Sequence, residues 1–296
     1  MSGLINAFKS VIGRGQDDLL PPTDLLANEE DCQACPNPCH DHKQFPSYLK
    51  IDNFTPLLGS TKPYSRHILI ATGKSDWASH IDDDKDTVAA ALLHHMHKVS
   101  PPFRIVTTNS SLDALHSTIP DSTDIIVLPD NILVSNVTVN NVDKFYDLFL
   151  ATPLPSKSDA EVPDTKGHSE LKVVKNMYTS MILICSHRRR DKRCGVTAPI
   201  LAQEFDHVLR QKDIHEGEGG AIIVMVSHIG GHKFAGNVIL YTHEGRRGIW
   251  YGRVNACHCE AIVEQTLIGG KVIKDLYRGS MTHSFDDEKT TAEVQW

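Results

Sequence analysis

Met181-Ile182-Leu183-Ile184-Cys185 is the stretch on which the fold turns, a short apolar run that ends on a thiol. A run this short and continuous fits a strand buried on both faces. After a loop, Thr197 to Gln211 reads as a helix, with Thr197 as its cap and Pro199 in its first turn. Ala221-Ile222-Ile223-Val224-Met225-Val226 is a second buried strand. Val238-Ile239-Leu240-Tyr241 and Gly248-Ile249-Trp250-Tyr251-Gly252 flank the turn residues Glu244-Gly245-Arg246-Arg247 as a hairpin, and Glu260 to Gln265 begins a last helix. The order β, α, β, β, β, α is a minimal thioredoxin-like layout.

Upstream, a similar order begins near Tyr48. His67 to Thr72 reads as a strand, Thr87 to Leu93 as a helix, Phe103 to Val106 and Ile125 to Leu128 as further apolar strands, and Val142 to Leu150 as a closing helix. Strands alternating with helices point to α/β architecture, here two thioredoxin-like units in tandem. The expected division is an irregular N-terminal arm over 1–47, a first α/β domain over 48–151, a linker over 152–170, a second domain over 171–280 and a tail over 281–296.

Composition narrows the class. With 40% hydrophobic and 23% charged residues and a net charge of −7, the chain is ordinary for a globular protein and lacks the basic balance of a nucleic-acid binder. No apolar run approaches the roughly 20 residues that span a bilayer. Seven cysteines without a secretory signal fit a reducing compartment, where thiols are free, catalytic or metal-bound. The cytoplasm is the expected location; the apolar spacing of Leu4 to Ile12, with Lys9 and Arg14, makes a mitochondrial presequence the alternative.

Four residues gather at one end of the second unit. Cys185 closes the first strand, Cys194 stands nine positions on at the expected helix start, and His228-Ile229-Gly230-Gly231-His232 follows the second strand. A helix N-terminus favours thiolate, the form that binds metal. Two cysteines and two histidines suit either a tetrahedral Zn²⁺ or a Rieske-type [2Fe–2S] cluster, and spacing does not choose between them.

Other motifs carry less. Cys32, Cys35 and Cys39 have metal-like spacing but no preceding strand, and leave a thiol oxidoreductase as a third reading. Cys257 and Cys259 read as helix-start thiols. Gly73-Lys74-Ser75 is similar to the end of a P-loop, but Ile68 stands where the first glycine is required. Neither a paired-carboxylate site nor a nucleophile elbow supports a hydrolase.

The runs Ile184 to Pro199, His228 to Val238 and Ile249 to Val254, with Leu49-Lys50-Ile51, Thr55-Pro56-Leu57-Leu58 and Asp76-Trp77 upstream, resemble the sucrase/ferredoxin-like family. The resemblance implies a C-terminal thioredoxin-like ferredoxin domain whose Cys-x8-Cys and His-x3-His motifs map onto Cys185, Cys194, His228 and His232 as ligands of a [2Fe–2S] cluster. It implies an electron carrier rather than an enzyme. Histidine ligation raises the potential, to about −150 to +300 mV in Rieske centres against about −400 mV with four cysteines, and couples electron to proton uptake through the second ring nitrogen. Arg188, Arg189, Arg190, Lys192 and Arg193 form the expected docking patch for an acidic redox partner. The ending Glu293-Val294-Gln295-Trp296 resembles the tripeptide by which cytosolic iron–sulfur clients contact their targeting complex, with Trp296 as the contact.

Overall fold

A computed structural model of the 296-residue chain describes residues 20–27, 42–152, 154 and 170–286. Cys32, Cys35, Cys39, Trp296 and most of the linker lie outside the described residues.

The strands are β1 (Leu26–Ala27), β2 (Arg66–Ala71), β3 (Ile105–Ser110), β4 (Thr123–Leu128), β5 (Ile132–Val137), β6 (Lys172–Lys175), β7 (Ser180–Cys185), β8 (Ala221–Val226), β9 (Val238–Thr242), β10 (Arg247–Tyr251), β11 (Val272–Ile273) and β12 (Tyr277–Ser280). The helices are α1 (Val88–Val99), α2 (Val142–Phe145, continuing as a π-type turn to Leu150), α3 (Lys192–Gln211) and α4 (His258–Ala261, likewise continuing to Ile268). Thr87 caps α1, its hydroxyl accepting from the Ala90 N–H.

Ten strands form one mixed sheet in the order β12-β10-β9-β7-β8-β3-β2-β4-β5-β6. Within it the same plan occurs twice. β2 pairs parallel with β3 across α1, and antiparallel β4 and β5 follow on its other side. β7 pairs parallel with β8 across α3, and β9 and β10 follow in the same way. The fold is therefore α/β with two tandem thioredoxin-like units. They join through a short antiparallel contact at Ser110 and Val226, extended by Ser111 N–H to Met225 O and Ser227 N–H to Asn109 O, both 2.9 Å.

Each half covers one sheet face with its own helix. Ile68 and Ile70 pack with Val88, Leu92 and Met96 of α1, while Ile182 and Ile184 pack with Ala198, Leu201 and Phe205 of α3. The helix-free faces share a third core, where Leu69, Ile126 and Leu128 meet Met181, Leu183, Ile239 and Trp250. Burying a large apolar side chain is worth about 1.5–3 kcal/mol, so this shared core ties the halves together more firmly than their single edge contact. A buried polar chain crosses it: Trp250 Nε1 donates to Tyr64 Oη (2.9 Å), Tyr64 bonds Tyr241 (2.8 Å), Tyr241 bonds His67 Nδ1 (2.8 Å), and His67 Nε2 bonds Thr108 (3.0 Å).

Three features depart from the sequence reading. Helix α3 starts at Lys192 rather than Thr197, because the Asp191 carboxylate caps it by accepting from the Arg193 N–H at 2.9 Å. Thr197 lies inside the helix, its hydroxyl donating back to Cys194 O, and Pro199 falls in the helix interior. Strands β5, β6 and β12 escaped notice; β6 follows the linker yet pairs with β5 at the far edge of the first half, and β12 carries a charged residue in its middle. Within the arm, Leu26–Ala27 pairs parallel with Val272–Ile273, and Leu20, Leu25 and Leu26 pack against the core of the second half.

Candidate metal centre

Cys185 is the last residue of β7, its N–H held by Asn237 O at 3.1 Å. Cys194 sits in the first turn of α3, where free N–H groups and the helix dipole favour thiolate. Both are about 1% exposed and neither is in a disulfide. The pair shares a hydrogen bond: Cys194, helped by contact with His228 and the Ile229 N–H, holds Cys185 well below the usual thiol range, while the same bond and burial push Cys194 up.

The histidines lie on the turn after β8. Gly230 and Gly231 both have positive φ, +85° and +67°, which folds the turn back so that the two imidazoles stand 5.4 Å apart between ring centroids. Nδ1 of His228 and Nδ1 of His232 are both buried without a hydrogen-bond partner. His232 Nε2 faces Asp191 Oδ2 at 3.9 Å, and its side chain is 44% exposed. Burial lowers the His232 pKa, against the pull of Asp191.

The four sequence-predicted residues thus form two adjacent pairs, linked by the contact between Cys185 and His228. Among the described residues, no three His, Cys, Asp or Glu side chains are gathered around one point as a site for a single metal ion. Two orphaned imidazole nitrogens and two buried free cysteines are nevertheless a donor set suited to the implied cluster, since an unpaired buried polar nitrogen costs about 1–3 kcal/mol that ligation removes.

The surroundings contain residues that sequence reasoning left without a role. His187, 1% exposed, accepts the His228 N–H at Nδ1 (3.1 Å) and donates from Nε2 to Trp77 O (3.0 Å). Trp77 belongs to a loop of the first half that also binds the cysteine loop through Ser75 O, which accepts from the Ser186 hydroxyl (2.6 Å), and Asp76, which accepts from the Arg189 N–H (3.0 Å). On the other side Asp52 N–H donates to Lys233 O at 2.8 Å. The Asp76-Trp77 pair was the visible signal; its partners are more than 100 residues away.

In the basic loop, Arg193 forms a bidentate pair with Asp191, Arg189 faces Asp76, and Arg190 bonds His80. Arg188, Arg189 and Lys192 are exposed.

The sucrase/ferredoxin-like family profile matches residues 57–279. Actin patches distal protein 1 of Saccharomyces cerevisiae is 29% identical over 265 residues, covering 83% of this chain and 83% of that protein. Altered inheritance of mitochondria protein 32 of Debaryomyces hansenii is 27% identical over 264 residues, 82% of this chain and 92% of the relative, and its Clavispora lusitaniae namesake is 45% identical over 103 residues, 35% of this chain and 36% of that protein. No solved structure matches the chain. None of the helices among the described residues is long and apolar enough to cross a membrane.

Proposed function

The chain belongs to the sucrase/ferredoxin-like family, and from that premise we propose that it is an electron carrier in which Cys185, Cys194, His228 and His232 hold a [2Fe–2S] cluster. The observation that carries the reading is the pair of buried, unpartnered Nδ1 atoms beside two buried free cysteines. When bound, the cluster supplies one-electron exchange at a potential that imidazole ligands raise relative to four thiolates.

The chain's own residues do the rest. Cys185 and Cys194 sit at the dry end, where burial excludes water from the sulfurs. His228 and His232 would hold the cluster through their unpartnered Nδ1 atoms, which would leave Nε2 as the proton-bearing atom. At His232 that atom faces Asp191 and the exposed edge, so it exchanges its proton with solvent. The same edge is the point of electron entry, and the exposed Arg188, Arg189 and Lys192 steer an acidic partner toward it.

The test is purification with metal analysis. A red-brown protein with about two irons per chain, bleached by dithionite, supports the proposal; a colourless protein with one zinc overturns it in favour of a structural site. In the iron protein, His232→Cys is expected to lower the midpoint potential, because an added thiolate disfavours the reduced state.

A further inference from the structure

Arg278 is the middle of β12 and only 1% exposed. Its guanidinium makes four hydrogen bonds: Nε donates to Ser60 Oγ (3.0 Å), one terminal nitrogen to Asn237 Oδ1 (2.7 Å) and Gly230 O (3.3 Å), the other to Ser60 O (3.4 Å). All of these acceptors are neutral, and among the described residues no carboxylate forms an ion pair with it. A buried cation without a counter-charge costs several kcal/mol, and a negative group nearby offsets that cost.

The negative group at hand is the cysteine pair. Asn237 binds Arg278 through Oδ1, donates from Nδ2 to Gly231 O (3.0 Å) and accepts the Cys185 N–H at its backbone carbonyl (3.1 Å). Arg278 also fills the space beneath the histidine turn, where a Cβ on Gly231 would lie 2.3 Å from its terminal nitrogen. The rings of Phe234 and Trp250 enclose it at 5.5 and 5.7 Å. Burial pulls its pKa down to about 10, and the charge of Cys185 and Cys194 opposes that fall.

We propose that Arg278 is the internal counter-charge of the centre, a positioning residue that fixes the histidine turn against the cysteine strand and favours the electron-loaded state. The proposal rests on the cluster reading above. At a pH below the oxidised-state pKa of the ligand histidines, where their protons stay in place, one electron taken from a reductase leaves the centre one unit more negative, and a fixed cation in a low-dielectric surrounding stabilises that state more than the oxidised one.

Midpoint potential and iron content, measured on wild type, Arg278→Gln, Arg278→Lys and Ser60→Asp, test it. Arg278→Gln should lower the potential and speed iron loss to a chelator roughly tenfold or more. Arg278→Lys should keep the potential closer to wild type. Ser60→Asp keeps the guanidinium but places a carboxylate beside Nε from an exposed position, and should lower the potential with iron content unchanged. A wild-type potential in iron-loaded Arg278→Gln, or in iron-loaded Ser60→Asp should the first variant not fold, overturns the role of Arg278 and leaves the cluster reading standing. Wild-type protein without iron overturns the cluster reading and this role with it.

Discussion

His187 shows how a single side chain ties two distant parts of the chain to one ligand. Both its ring nitrogens are engaged, one by the His228 backbone and one by Trp77 O, and its ring meets Trp77 edge-on at 5.7 Å. His187→Ala leaves a buried N–H and a buried carbonyl unpaired, so apo-protein stability in urea should fall by about 1–3 kcal/mol per orphaned group. An unchanged unfolding midpoint would show that the groups find other partners. The glycines allow a paired test at this scale. Both need positive φ, which costs an alanine about 1–2 kcal/mol. Gly230 opens onto free space, whereas Gly231 abuts Arg278, so Gly231→Ala should destabilise more than Gly230→Ala in the same denaturation assay.

Helix α3 delivers Cys194 to Cys185, and its start is the element on which the centre's geometry depends. Asp191 caps it, holds the Arg193 guanidinium and faces His232, and the Arg193 bond keeps its carboxyl below the usual range. Asp191→Ala should cost about 1 kcal/mol through the lost cap, while Asp191→Asn, which keeps a capping oxygen, should cost less. Equal losses would point to the Arg193 pair instead. Gly195 lets the basic loop fold onto the helix start, since a Cβ there would stand 2.3 Å from the Arg188 Cβ. The sequence showed both motifs at the right spacing, yet assigned the cap to Thr197. A hydroxyl and a carboxylate both fit a cap position, and only the observed bonds tell which one accepts the first free N–H groups.

At the scale of the molecule, the interface between the two halves contains a histidine that cannot take up a proton where solvent histidines do. Burial lowers His67 from 6.5 to about 3, with Arg104 adding to the shift. Above pH 6.5 folded and unfolded chains both hold it neutral, and its contribution is fully present. Below 6.5 the unfolded chain binds a proton that the folded chain does not, so stability falls by about 1.4 kcal/mol per pH unit until the folded pKa is reached. Denaturation measured from pH 7 to 4 should show this one-proton dependence, and His67→Gln should remove it. A slope unchanged in the variant would assign the loss to other groups. The same interface explains what the first half contributes: it carries the Trp77 loop that holds the cysteine loop, and it covers Leu183, Ile239 and Trp250.

The sequence by itself determined the α/β class and most strands and helices of both units, because these rest on local periodicity, and it singled out Cys185, Cys194, His228 and His232 by their spacing within a short segment. It did not reveal β6, four residues with one edge partner, or β12, whose arginine disguises a buried strand. Only the tertiary structure decided that the helix-free faces pack together, that Trp77 reaches His187, that Asp191 faces His232, and that Arg278 lies beneath the histidine turn. Those contacts join residues far apart in the chain, and whether a charge is buried or solvated depends on what the rest of the molecule places around it.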